Sequence, residues 1–227
     1  MVQDYIPTVL AAGSVTIAVA VVALVLAVVL GLVFAQFKLS RSGLLRGIAE
    51  TYTTVIRGIP DLVLMLLVYY SLPALLMMIA KSMGQKVYIE FDPFIAGAAT
   101  LGVIFGAYMT ETFRGATLSI PKGQVEAAQA YGMRRFHTWR RIVLPQMVRY
   151  ALPGFTNNWL VLFKGTAIVS LIGLQDIMFR AKGAAEATRQ PFTFYLVACG
   201  FYLAVAMASL LILRHVAKRA DLGQKRA

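Results

Sequence analysis

Long apolar stretches alternate along the chain with short, strongly basic ones. Residues 5–37, 62–80, 93–110 and 190–213 carry no Asp, Glu, Lys or Arg, and 150–175 carries only Lys164. Each run is near or above the roughly 18 residues that a helix needs to cross a hydrocarbon core. The pattern predicts an all-α membrane protein: one domain, 1–227, with five transmembrane helices at about 9–36, 59–80, 92–113, 150–173 and 191–214. Between the third and fourth spans lies a connection of residues 114–149, far longer than a hairpin between neighbouring helices requires. It has its own helical pattern. Pro121 suits a first helical position, Gly132 suits a C-terminal cap, and good helix formers lie between them. A second helix is expected from near Met133 to just before Pro145. Phe136, Trp139 and Val143 share one face of it and Arg134, His137, Thr138 and Arg141 the other, as in an amphipathic helix lying at the membrane interface.

Charge adds a direction. Only 14% of the residues are charged, yet the formal net charge is +12. Sixteen Lys and Arg fall in the connections after the first and third spans and in the C-terminal tail, against five (Lys81, Lys86, Arg180, Lys182 and Arg189) in the other connections. The positive-inside rule therefore expects the N-terminus outside, and the C-terminus and the long connection in the cytoplasm. The basic balance is a topology signal spread over one membrane face, and nucleic-acid binding is not expected. The first run is too long, and its leading segment too poor in positive charge, for a cleavable signal peptide, so it is expected to remain. The single cysteine, Cys199, offers neither a disulfide framework nor metal-ligand spacing, and is expected to be a small buried apolar residue. Five spans are few for a self-contained translocation path, which points to an oligomer.

Within the connection, Glu126, Ala127, Ala128, Gly132, Ile142, Leu144 and Pro145 stand at the spacing Glu-Ala-Ala, three residues, Gly, nine residues, Ile-x-Leu-Pro. This resembles the EAA signature of the membrane subunits of ABC-type importers. Four segments, "YTTVIRGIPDLVLMLL" (52–67), "GAYMTETFRGA" (106–116), "PKGQVEAAQAYG" (121–132) and "NNWLVLFKGTAIVSLIGLQDI" (157–177), are similar to the polar amino acid subfamily. The likeness is to the Q-type permeases of the histidine/lysine/arginine/ornithine system and their octopine and nopaline relatives. The resemblance implies a second permease subunit, two cytoplasmic ATP-binding subunits and a periplasmic amino acid binding protein as partners, in the bacterial inner membrane. It also implies that the Glu126–Gly132 helix docks on the ATPase and couples its closure to the spans. ATP and Mg would then be bound by the ATPase, with no cofactor on this chain.

The chain's own residues agree that no catalysis is carried here. There is no G-x-x-x-x-G-K-[ST] phosphate loop, and His137 and His215 have no ligand-spaced or nucleophilic neighbours. A self-sufficient secondary carrier or channel is the alternative. Ionisable residues within spans are costly unless paired or wetted. Lys164 is expected near mid-depth, either on the translocation path or in an ion pair between subunits. Glu111 lies three residues before Arg114 on one helical face, and Asp61 follows Pro60 at the start of the second span, where a carboxylate suits the helix dipole. Either acid would suit a cationic substrate side chain if it faced the cavity. Asn157 and Asn158 serve as substrate-path candidates or as hydrogen-bonding links between helices.

Overall fold

In the computed structural model, which describes residues 2–85 and 87–221, the chain is helical throughout, with short connections. Lys86, Lys225 and Arg226, counted above among the connection charges, lie outside the described residues. Helices α1 (Val2–Ala11) and α2 (Gly13–Lys38) form one column, α3 (Gly43–Gly58) returns along it, and α4 (Asp61–Leu66) and α5 (Leu72–Ser82) are joined by a π turn, Leu67–Ser71. Helix α6 (Pro93–Leu118) is followed by the short α7 (Lys122–Ala130) and α8 (Arg135–Thr138). A second π turn, Trp139–Val143, leads into α9 (Leu144–Gly165), a 3-10 segment (Thr166–Ile172), α10 (Ile177–Thr188) and α11 (Pro191–Asp221). Among the described residues, five helical stretches are long and apolar enough to cross a membrane: Asp4–Leu39, Asp61–Ser82, Pro93–Leu118, Arg135–Ile172 and Pro191–Arg219.

Small residues decide which helix is central. Along α2, Thr16, Ala20, Ala23, Ala27, Gly31 and Ala35 recur every three or four positions and are buried. They let α6 come close enough that a Cβ added at Gly31 would lie 2.5 Å from Met109 Cβ, and one at Gly102 would lie 2.6 Å from Leu26. With no hydrophobic drive between helices in lipid, this close approach supplies the packing. The pairs Leu26–Gly102, Leu30–Gly106 and Gly31–Met109 set α2 and α6 parallel. Lys38 and Leu118 therefore share one end of the bundle, the loop end, where α7 and α8 also lie. In α6, 67% of the most apolar window is buried within the protomer, against 6% in α11, so α6 is the centre and α11 the periphery. Cys199 accordingly is exposed on α11 instead of buried, because little of the protomer covers that helix. At the opposite end α1, α10 and α11 enclose a smaller core around Val9, Ile177, Ala181 and Phe194.

Two features differ from the sequence expectation. First, the helix expected to stop before Pro145 continues through it. In the π turn, Leu144 N–H donates to Trp139 O, five residues back, and this wider turn relieves the clash of the proline ring with the preceding carbonyls. The Gln146 side chain donates to the Ile142 carbonyl at 3.0 Å. Residues 135–143 are thus continuous with the helix of the fourth span instead of forming a helix that ends before Pro145. Second, α3 is not a loop. It packs on α2 and α6, with the Tyr52 ring stacked on Phe34 (centroids 4.2 Å apart) and its hydroxyl donating to the Val103 carbonyl at 2.6 Å.

Candidate functional site

The loop end presents α7 as a short protruding helix. Its C-terminus is closed by a Schellman arrangement: Met133 N–H donates to Ala128 O at 3.0 Å and Gly132 N–H to Gln129 O at 2.9 Å. That closure needs a left-handed residue, and Gly132 supplies it with φ +77°. Glu126, Ala127, Ala130 and Tyr131 are exposed, Tyr131 at 90%. Ala128 is buried, so of the three alanines of this helix it is the one that packs inward. Ile142 and Leu144 are half-buried against the bundle and Pro145 is exposed. Between the end of α6, α7 and the second π turn lies a cleft of about 310 Å³ lined by Leu118, Lys122, Val125, Glu126 and Val143.

A second polar group sits within the bundle. Glu111 on α6 is held between Lys38 at the end of α2, in direct contact, and Arg114, at 3.3 Å. It is committed to these two cations, and joins α2 to α6. Asn158 donates to Thr112 Oγ1 at 3.0 Å and approaches Met109 Sδ at 3.7 Å, linking α9 to α6, whereas Asn157 is exposed. Gly154 sits against Thr112, where a Cβ would lie 2.8 Å from its methyl carbon. Asp61 is half-buried at the start of α4, just after the extended Pro60. Lys164, in the last turn of α9, is exposed and forms no ion pair within the described residues. The five polar candidates therefore do not form one cluster: Glu111 and Asn158 face the α6 packing, and Asp61, Asn157 and Lys164 do not.

Arg57 is the residue that sequence reasoning placed elsewhere, among the charges of a loop. It stands in the last turn of α3 with its guanidinium carbon 5.1 Å from the centroid of the Tyr108 ring. The signal was present: Leu45, Ile48, Ala49, Tyr52, Val55 and Ile56 recur at helical spacing immediately before Gly58-Ile59-Pro60.

Outside the spans, Asp176 caps α10. Its Oδ1 accepts from Phe179 N–H at 2.9 Å, and the neighbouring Ile177 N–H donates to Thr16 Oγ1 at 3.2 Å. The carboxyl is 1% exposed and its Oδ2 has no hydrogen-bond partner. Burial pushes its pKa up to about 6, against the opposing pull of backbone N–H donors. Among the described residues no group of three or more His, Cys, Asp or Glu is placed to hold a metal ion.

Residues 27–221 match the family described as "Binding-protein-dependent transport system inner membrane component". Over 227 residues the chain is 46% identical to the "Histidine/lysine/arginine/ornithine transport system permease protein HisQ" of Escherichia coli (strain K12), covering 100% of this chain and 99% of that protein. It is 41% identical to the "Octopine transport system permease protein OccQ" of Rhizobium radiobacter, over 96% of this chain and 92% of that one. Among solved structures, "Crystal structure of an amino acid ABC transporter with histidines" superposes with a TM-score of 0.81 at 28% identity, covering 96% of each chain. A methionine ABC transporter, MetNI, in an inward-facing conformation, shares the fold alone, with a TM-score of 0.70 at 16% identity over 93% of this chain and 95% of that one. A full-length match, a helical bundle of five candidate spans and a capped helix between the third and fourth lead to one assignment: this chain belongs to the binding-protein-dependent transport system inner membrane components, the permease subunits of ABC importers.

Proposed function

We propose that this chain is the permease of an ATP-driven importer of polar amino acids, basic ones such as histidine, arginine, lysine or ornithine, and that it works as one of a pair of permeases. Two cytoplasmic ATP-binding subunits, which hold ATP and Mg, and an amino acid binding protein on the outer side complete the system. The N-terminus is outside and the C-terminus in the cytoplasm, as the bias in Lys and Arg expects. The observation that carries the reading is α7: a helix rigidly closed by Gly132, with Glu126 and Tyr131 exposed, continuing through α8 and the second π turn into α9. A low surface with one carboxylate suits insertion into a cleft of a partner that offers a cation. The substrate class rests on the names of the relatives, and the uncommitted Asp61 is consistent with a cationic side chain.

Reconstitution tests this. The permease pair is placed in vesicles with and without the ATPase subunits, and uptake of radiolabelled arginine and histidine is followed after adding binding protein outside and ATP inside. Uptake only with ATPase and ATP is the expected result. Uptake by the permeases alone would establish the secondary carrier or channel and end the proposal.

A further inference from the structure

Helix α3 enters the bundle from the loop end and stops halfway. The Tyr52 hydroxyl reaches the Val103 carbonyl, and the space above Gly106 is filled by Leu30 and that same hydroxyl. Val103 to Gly106 is the middle of α6, Pro93–Leu118. Ile56, one turn beyond Tyr52, lines a small apolar pocket with Leu64, Thr100, Val103 and Ile104. Directly after Arg57 the helix breaks: Ile59 (φ −107°, ψ 136°) and Pro60 (φ −57°, ψ 135°) are extended, and α4 starts anew at Asp61. Arg57 is therefore a guanidinium at mid-height beside a broken helix, the type of irregular backbone that spanning proteins tolerate only where it is buried in protein or lines a cavity.

The surroundings of this cation leave one side of it open. Its guanidinium carbon lies 5.1 Å from the centroid of the Tyr108 ring, a cation–aromatic contact that uses none of its N–H donors on an acid. The carboxylate whose field reaches it, Glu111, is already held by Lys38 and Arg114, and no ion pair joins Arg57 to an acid within the described residues. The side chain is exposed in the protomer and not packed into its core. A cation at the centre of a bilayer costs several kcal/mol unless an anion or water meets it. The group whose geometry matches the N–H fork of a guanidinium is a carboxylate, which accepts from it in a two-pronged fashion.

We propose that Arg57, backed by Tyr108, binds the α-carboxylate of the transported amino acid at mid-membrane. The inference rests on the reading of the chain as an amino acid permease. It assigns the anionic end of the substrate to α3, and leaves Asp61, just beyond the break, on the side of its cationic groups.

The test uses the assembled transporter, permease pair with ATPase subunits, in lipid nanodiscs without the binding protein. Equilibrium binding of arginine is compared with agmatine, and of histidine with histamine; each amine lacks only the carboxylate. Wild-type complex is expected to prefer the amino acid over the amine by about tenfold to a hundredfold, the range of a charge-assisted hydrogen bond. Arg57→Gln should bring the two affinities together while leaving the amine's own affinity unchanged, and Arg57→Lys should retain part of the preference. A preference that survives in Arg57→Gln, an equal loss for acid and amine, or a wild-type complex that binds neither would overturn the assignment. So would an Arg57→Gln complex that fails to assemble, since Arg57 would then be a tie to an acid of the sister permease. Uptake by the full wild-type system is measured alongside: no uptake defeats the functional reading and this assignment with it, whereas normal uptake with an unaltered preference in Arg57→Gln defeats this assignment only.

Discussion

Replacing Glu111 by Gln removes the one anion between two cations at the loop end. The Lys38 side chain is 11% exposed and Glu111 27%, so their contact is largely desolvated. At an effective dielectric near 20, two charges about 4 Å apart interact by about 4 kcal/mol. Arg114 is 41% exposed, and screening limits its share to about 1 kcal/mol or less. Once Glu111 is neutral, Lys38 stays buried without a counterion, a loss expected to cost about 3–5 kcal/mol. In a chain of this size about 3 kcal/mol corresponds to a melting shift of about 6–12 °C. The assay is thermal unfolding of the detergent-solubilised complex, followed by loss of monodisperse material. The double variant Lys38→Met/Glu111→Gln should melt closer to wild type than Glu111→Gln, because no uncompensated charge remains. Amino acid selectivity in the surviving Glu111→Gln complex should be unchanged. A melt within about 2 °C of wild type, or a selectivity change with an intact melt, would show that the cluster is not a structural tie and that Glu111 acts on the substrate path.

Three further outcomes follow from other parts of the bundle. Gly31→Val should separate α2 from α6, since the added carbon would meet Met109 Cβ at 2.5 Å, and should lower stability by about 3 kcal/mol or more; Gly43→Ala, with nothing within 4 Å, should be neutral in the same melts. For Asp176 the carboxyl pKa is raised to about 6. The folded chain therefore holds a proton that the unfolded chain has released between about pH 4 and pH 6, and stability falls across that window as pH rises. Asp176→Asn, which keeps the Oδ1 acceptor for Phe179 N–H, should flatten that slope and melt higher than wild type at pH 7.5; parallel pH profiles would contradict the assignment. Glu126→Arg should leave the spans folded and lower ATP-driven uptake by at least about tenfold, equivalent to about 1.4 kcal/mol of lost coupling or docking. Uptake at the wild-type rate in that variant would remove α7 from the transmission path.

The spans were legible because hydropathy registers the one requirement a bilayer imposes on every residue of a crossing helix, as in 93–110, which lies wholly inside α6. The turn at Gly132 was legible for a local reason, since a left-handed residue closing a helix is a one-residue decision. Other features depended on partners distant in sequence. Pro145 reads as a helix stop, and only the π turn before it, stabilised by packing on α7 and the bundle, lets the chain pass. Glu111 could be paired with Arg114 by spacing, but Lys38 lies 73 residues away and nothing local announces it. For Arg57, charge counting prevailed over periodicity. The polar face that carries Arg46 and Glu50 kept 43–58 below any threshold for a spanning helix, although one stripe of it was apolar enough to pack on α2 and α6.

These arrangements bear on how a displacement of α7 would travel on the proposed reading. An α-helix of 22 residues such as α9 is a rod of about 33 Å, stiff along its axis. Its loop end is joined to α7 through the turn at 131–134, α8 and the second π turn, so the α-helical hydrogen-bond ladder is interrupted twice on that path. At its far end the rod passes through Lys164 and Gly165 into the 3-10 segment, and that segment ends at Gly173, in the left-handed conformation with φ +90°. A push on α8 along the rod axis would therefore reach the far end, whereas tilting of α7 would be absorbed in the turn at 131–134 and in the π turn. Helix α6 resists both motions, because Gly102, Gly106 and the Glu111 cluster lock it to α2. Helix α9 meets α6 where Gly154 and Asn158 lie against Thr112, and α3 meets it where the Tyr52 hydroxyl reaches the Val103 carbonyl, so on the proposed reading a shift of α9, or of the α3–α4 break with Arg57 and Asp61, works against those contacts.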